Sequence, residues 1–410
     1  MATLSDRRRK INEVLSKIDK SLGEAVIVCD SVDMRTPFHI RRPTGIISMD
    51  IELVGGFPGG TLVQLHGEKG TGKTGLACAA AGMNQRLYSD EAATFFSSFG
   101  YRMDASLARL VGVQVAYSDD ELTGLGIDAE DVPDEYAGDT VGVFKIITLQ
   151  NSDTAKDAPA EAIFETATEL IESGAFQIGI IDEMGSGETR DDVKKQFKDE
   201  RRMAAWSRLV TQFCVRMYTK FRIPQENGEP VDTVLFVINP ARANINTSGG
   251  RQYKKTTETS GFALQHAKAV DIHLRKGKPF RKGDKVVAFE VNWTIAKGKH
   301  GLATGAKGQY IWNVDSGPDV CLDLAQTAKI HGIAVHRGRW YTIDMAATEE
   351  EIADESITVS EDGFRRIRIG GGLPGVVAAL RADEELFFDV YHATLQAALG
   401  YNPLFASMEA

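Results

Sequence analysis

The chain has 410 residues, 43% hydrophobic and 25% charged, an ordinary globular balance with enough length for one large core and one or two small satellites. Its net charge of −10 argues against binding nucleic acid with the whole surface and leaves room for a local basic groove. No apolar run approaches the roughly 18 residues a membrane span needs. The N-terminus lacks a signal-peptide pattern, and Cys29, Cys78, Cys214 and Cys321 are scattered in apolar contexts. We therefore expect a cytoplasmic protein with no membrane span, no disulfide framework and no zinc site.

In residues 5–22, Ile11, Val14, Leu15, Ile18 and Leu22 fall at helical spacing, and 24–29 reads as a short strand. The basic run 7–10 forms the solvated side of that helix or meets a partner. The chain then alternates: strand 61–66, helix 74–86, strand 93–98, helix near 104–111, strand 143–149, helix 160–173, strand 176–182, helix 200–221, strand 232–238. Such alternation predicts an α/β fold with a mostly parallel sheet covered by helices on both faces. Residues 118–140 hold nine acidic residues and no Lys or Arg, which reads as a solvated surface loop. Apolar stretches at 270–274, 286–295 and 309–314 are expected to complete the sheet. Residues 322–333 and 339–343 read as a helix and a strand, and 380–399 as a small C-terminal helical unit.

The stretch around strand 61–66 declares the chemistry. Gly67, Glu68, Lys69, Gly70, Thr71, Gly72, Lys73 and Thr74 satisfy G-x-x-x-x-G-K-[ST] between a strand and an Ala-rich helix. Glycines let successive N–H groups point into one concavity around phosphates, and the helix adds the positive end of its dipole. Lys73 supplies a charge, and the Thr74 hydroxyl can ligate magnesium. The site calls for the phosphates of a nucleotide with Mg2+. A second signal is the apolar strand ending at Asp182, where a magnesium-organising carboxylate belongs beside a phosphate loop; the alternative is a helix cap.

With these motifs in place, residues 8–400 resemble the RecA family of homologous-recombination ATPases, including its phage UvsX-type members. Pro43-Thr44-Gly45 with Gly55-Gly56-Phe57-Pro58-Gly59-Gly60 resembles the family's approach to the phosphate loop. Val237-Ile238-Asn239 is similar to its sensor strand, and residues 259–266 to the segment closing its second DNA loop. Ala296-Lys297-Gly298-Lys299 resembles its paired lysines, and Gly338-Arg339-Trp340-Tyr341 its C-terminal Trp-Tyr strand.

The resemblance implies a RecA-like P-loop core at 39–315, an N-terminal helix-strand docking unit at 1–38 and a small C-terminal α/β domain at 316–410. It implies a DNA-dependent ATPase that forms a homo-oligomeric helical filament on single-stranded DNA and pairs it with homologous duplex DNA. Mediator or single-strand-binding proteins would be further partners, and a phage origin would place it in the host cytoplasm. Ile11, Val14 and Ile18 would dock on the neighbouring subunit. Lys297 and Lys299 would reach the ATP held by that neighbour and act in trans; otherwise they are two solvated loop lysines. DNA would meet two long basic loops, 185–203 with Arg190, Lys194, Lys195, Lys198, Arg201 and Arg202, and 240–261 with Arg242, Arg251, Lys254 and Lys255. The basic hairpin 275–285 has no assigned role.

The chain also departs from the family. Gly100 stands where the catalytic glutamate usually lies, Asp104 falls on an adenine-contacting Asp, Leu107 replaces an aromatic, and Pro240 replaces the Gln or His that senses the γ-phosphate. A water attacking the γ-phosphate needs a carboxylate, and Glu183, next to Asp182, is the candidate base, with Asp104 its rival. Strand alternation argues against Glu183, less so at a strand's end. The other reading is a structural or regulatory ATP-binding protein on the same fold with weak hydrolysis.

Overall fold

A computed structural model of the chain describes residues 39–88, 92–99, 103, 105–128, 130, 143–147, 159–184, 187–190, 203–222, 230–240, 242–243, 256–257, 261–347, 360 and 363–404. The chain separates into units Met1–Thr36 and Pro37–Ala410, and the described residues belong to the second. The expected N-terminal helix and strand, with Ile11, Val14 and Ile18, lie outside the described residues.

The first half runs β1 (Arg41–Arg42), α1 (Ile47–Glu52), β2 (Phe57–Pro58), β3 (Thr61–Gly67), α2 (Lys73–Tyr88), β4 (Ala93–Ser98), α3 (Ala105–Leu110), α4 (Asp119–Leu125), β5 (Val143–Ile147), α5 (Pro159–Glu172), β6 (Ile178–Asp182) and α6 (Met203–Lys220). The second runs β7 (Val234–Pro240), β8 (Arg242–Ala243), β9 (Thr256–Thr257), α7 (Gly261–Ala267), β10 (Val270–Lys282), β11 (Lys285–Gly298), β12 (Lys307–Asn313), β13 (Gly317–Pro318), α8 (Val320–Ile330), β14 (Ala334–Arg337), β15 (Trp340–Ala346), β16 (Phe364–Ile369), α9 (Gly372–Ala382) and α10 (Glu384–Leu399).

A nine-stranded sheet in the order β13-β12-β11-β10-β3-β7-β6-β4-β5 organises the molecule. From β10 to β5 every pairing is parallel; β11, β12 and β13 extend it antiparallel, so the stretch 270–314 completes the sheet as expected. Side chains alternate across the strands, which gives each face its own core. Val63, Leu65, Ile180, Phe236 and Ile272 pack with Leu76 and Ala80 of α2 and Met49 of α1. Leu62, Phe95, Ile181, Leu235 and Val237 face the other way, against Phe164 of α5, Phe213 of α6 and Leu264 of α7. The central strands β3 and β6 are buried throughout, as strands covered on both faces are. Among the described residues, no helix is long and apolar enough to cross a membrane.

The C-terminal elements build a third core around Leu324, Ile343, Val376, Leu380, Val390, Tyr391 and Leu395, with the antiparallel sheet β14-β15-β16 on its rim. They are tied to α1 by two buried carboxylates. Asp50 accepts from the backbone N–H of Thr44 (2.8 Å) and Gly45 (3.1 Å) and from the Tyr391 hydroxyl (2.6 Å). Asp323 accepts from the N–H (2.9 Å) and hydroxyl (2.8 Å) of Ser48. Burial pushes Asp50 up to about 7 and Asp323 up to about 6 against those hydrogen bonds.

One local expectation is corrected and two local features are added. Within the acidic stretch read as a loop, Ser118 and Glu121 form a reciprocal capping box that starts α4, and Gly126 ends it in the left-handed region at φ 66°. The helical unit expected at 380–399 is divided between two helices. Asp383 leaves the helical conformation and its side chain accepts from the Leu386 N–H at 2.9 Å, so α9 stops and α10 begins there. Strand β16 was not anticipated.

Candidate nucleotide site

Strand β3 ends at Gly67, whose Cα lies so close to the Leu274 carbonyl that an added Cβ would come within 2.3 Å of its oxygen. The loop then turns through Gly70 and Gly72 at φ 76° and 84°, conformations that cost a side-chain-bearing residue about 1–2 kcal/mol. Thr71 Oγ1 donates to the Glu68 carbonyl (2.9 Å), and Lys73 Nζ donates to the carbonyls of Gly67 (3.0 Å) and Glu68 (2.8 Å). The loop is thus folded around its own lysine. Glu68, Lys69 and Gly70 are exposed at its rim.

Thr74, in the first turn of α2, donates from Oγ1 to Asp182 Oδ2 at 2.8 Å. Burial pushes Asp182 up to about 6, helped by Glu183 and opposed by the Thr74 hydrogen bond and the Lys73 charge. Burial likewise holds Lys73 below its ordinary value, with Asp182 and Glu183 pulling it back up. These groups share a cavity of about 570 Å³ whose lining includes Gly72, Lys73, Thr74, Asp182, Glu183, Ile238 and Trp312. That size suits a small-molecule ligand. β6 ends at Asp182 and Glu183 already lies in a turn, so the two neighbours line one cavity where a continuous pleat would oppose them.

Trp312 is a lining residue that sequence reasoning passed over. Its ring covers the first turn of α2, so a Cβ on Gly75 would come within 2.0 Å of it, and it stacks on Phe289 at 6.3 Å between centroids. Met103, Leu107 and Val111 add an apolar wall. The wall can take the flat face of a base while the loop N–H groups take phosphates.

Lys297 and Lys299 are elsewhere. Lys297 pairs in register with Asp271 of β10, itself opposite Gln64, and Lys299 N donates to the Ala269 carbonyl while Ala269 N donates to Leu62. Lys299 is therefore level with Leu62, five residues up β3 from Gly67, or about 16 Å at strand rise. Neither lysine lines the cavity. Their ammonium groups donate to the carbonyls of Gln265 (2.5 Å) and His266 (3.3 Å), in the last turn of α7. Cations there complement the negative end of the helix.

The remaining candidates are sparsely described. Asp104, Gly100, Arg201, Arg202, Arg251, Lys254 and Lys255 lie outside the described residues, as do Lys194, Lys195 and Lys198. Arg190 is exposed, with its N–H on Glu161. Arg242 is placed by its backbone in β8, paired with Thr257 of β9, and its side chain lies outside the described residues. Pro240 ends β7 opposite Gly67. Beyond Leu274, β10 and β11 continue as an exposed ribbon carrying Arg275, Lys276, Lys278, Arg281, Lys282 and Lys285.

No family model matches the chain. Curated proteins do. RecA of Paenarthrobacter aurescens is 25% identical over 347 residues, 84% of this chain and 85% of that protein. RecA of Geobacter metallireducens is 27% identical over 295 residues, 72% and 73% of the two chains, and RecA of Frankia alni is 25% identical over 359 residues, 84% and 85%. These matches support a RecA-family relationship. The matched parts amount to 72–84% of this chain and support a RecA-family recombination and repair role.

Proposed function

We propose that the chain is an ATP-dependent recombinase of the phage RecA/UvsX type that polymerises on single-stranded DNA and pairs it with homologous duplex. The observation that carries the reading is the Thr74–Asp182 contact beside Lys73 at the mouth of a strand-loop-helix cavity. In this reading the N–H groups of residues 67–74 hold the β- and γ-phosphates and Lys73 leaves the loop carbonyls for them. A hydroxyl and a carboxylate oxygen 2.8 Å apart are a hard-oxygen pair suited to Mg2+, which would neutralise phosphate charge there. Glu183 orients the attacking water and takes its proton.

Lys297 and Lys299 lie too far from their own phosphate loop to serve it, which supports action on the nucleotide of an adjacent protomer in a helical filament. The basic loops 185–203 and 240–261, with Arg201, Arg202, Arg242, Arg251, Lys254 and Lys255, bind the DNA backbone without reading bases. The proposed units are 1–38 for docking, 39–315 for ATP hydrolysis and 316–410 as the C-terminal domain, in a cytoplasmic protein served by mediator or single-strand-binding proteins. A weakly hydrolysing regulatory protein is the second reading, favoured by Pro240, which puts no side-chain hydrogen-bond donor at the end of β7.

Negative-stain imaging with single-stranded DNA and a non-hydrolysable ATP analogue tests the proposal. Helical filaments dependent on both ligands are expected. Closed rings or dispersed protomers overturn it. Filaments with negligible ATP turnover favour the second reading.

A further inference from the structure

On the sheet face opposite α2, β3, β10 and β11 carry a polar row: Gln64, Asp271 and Lys297 in one register line, His66 and His273 in the next. Lys268, between α7 and β10, is buried beneath it. Its Nζ donates to Asp271 Oδ2 at 2.6 Å and to Gln64 Oε1 at 3.3 Å, and His273 Nε2 lies 3.4 Å from the same Oδ2. Lys268 and Asp271 side chains are 4% and 5% exposed. Among the described residues, Asp271 Oδ1 is buried and accepts no hydrogen bond, so half of the carboxylate is uncommitted. A buried ion pair of this kind adds little to stability over apolar residues of the same size, which leaves its placement to be explained.

What the pair adjoins is the lysine pair. Lys297 faces Asp271 across β10 and β11, and the last turn of α7, one residue before Lys268, holds both Lys297 and Lys299 by its carbonyls. Burial first, then the charges of Lys299 and Lys268, hold Lys297 below its ordinary value, and Asp271 alone among the named charges pulls it up. Burial works to raise Asp271 itself, and the adjoining His273 ring with the Lys268 ion pair brings it below its ordinary value, so it stands as an anion.

We propose that Asp271 is a positioning residue for Lys297 and Lys299: the counter-charge that lets this surface pair stand beside the buried Lys268 ammonium where the pair meets the next protomer's nucleotide. The inference rests on the trans role proposed above. Without Asp271 the three cations repel, Lys297 sheds its proton at lower pH, and a neutral amine stabilises no phosphoryl charge. Lys268 acts with the opposite sign, because removing it both deletes a cation and releases the Asp271 charge toward Lys297.

The test is an NMR titration of the lysine side chains in the full-length protein, with the Lys297 signal assigned by its loss in Lys297→Arg. The Lys297 midpoint is expected to move to lower pH in Asp271→Asn and to higher pH in Lys268→Met. Shifts in the same direction, the result of simple loosening, or no shift overturn the proposal. If Asp271→Asn does not fold, Lys268→Met decides alone, and an unmoved or lowered midpoint overturns it. In turnover, the alkaline limb of the DNA-dependent ATPase profile should move to lower pH in Asp271→Asn, in kcat and not in KM for ATP. Adding Lys297→Arg, whose charge persists there, should restore it. If Lys297→Ala with Lys299→Ala leaves ATPase and filaments unchanged, the trans role fails while the NMR result still judges Asp271.

Discussion

Glu183 is where residue chemistry and the family pattern part. Gly100 offers no carboxylate, whereas Glu183 lines the same cavity as Lys73, Thr74 and Asp182. A general base contributes about 10²–10⁴ in rate, roughly 3–5 kcal/mol of transition-state stabilisation. Glu183→Gln keeps the shape and hydrogen-bonding reach of the side chain, so ATP binding by calorimetry should be retained while steady-state turnover falls by about that factor. Turnover within about threefold of the parent would pass the role to Asp104. The same scale explains Gly75. In an exposed helix Ala outranks Gly by about 0.8–1 kcal/mol, yet here a methyl group would meet the Trp312 ring at 2.0 Å. Gly75→Ala should lower the melting temperature and weaken ATP binding, and Trp312→Ala in the same chain should turn the substitution back to neutral or stabilising. A stabilised single variant would show that the ring moves aside without cost.

Between elements, the joint of α1 with α10 makes a prediction whose sign is fixed by burial. Asp50 titrates near 7 in the folded chain, against an ordinary 3.8. Between those values the folded state holds a proton that the unfolded chain has lost, so stability falls as pH rises from about 4 to about 7 and is fully lowered above that window. Asp323, pushed up to about 6, acts in the same sense. Urea midpoints should therefore decline across the window, and less steeply in Asp50→Asn, which cannot ionise. Identical slopes in the two proteins would mean that Asp50 is ionised throughout. Much at this scale was legible in the sequence: the order of strands and helices around the phosphate loop, and the extension of the sheet by 270–314. The misses have physical causes. Ser118 and Glu121 spell a capping box, but the surrounding acids masked a helix whose residues are all partly or fully exposed and leave no apolar stripe. Asp383 sits between two apolar helical patterns, and the pattern alone does not reveal that its carboxylate caps the second. Trp312 reads as a strand residue, and only the register Phe289↔Trp312 and the bare Gly75 fix its ring over α2.

For the whole molecule, an overall charge of −10 has to be reconciled with a polyanionic ligand. The proposal assigns the DNA contact to two loops that emerge from the sheet after β6 and β7. Both leave from the edge that holds the phosphate loop, since Asp182 ends β6 and Pro240, opposite Gly67, ends β7. Contacts with phosphates release counterions, each lowering the logarithmic salt slope by about 0.7 for single strands. Replacing Lys254 and Lys255 together by Ala should weaken single-stranded DNA binding alike for all sequences and reduce that slope by roughly one to two units. Fluorescence anisotropy over a salt series, with mixed-sequence and homopolymer strands, measures both quantities. An unaltered slope would move the DNA site off the second loop, and a loss confined to one sequence would mean base readout in place of phosphate contact.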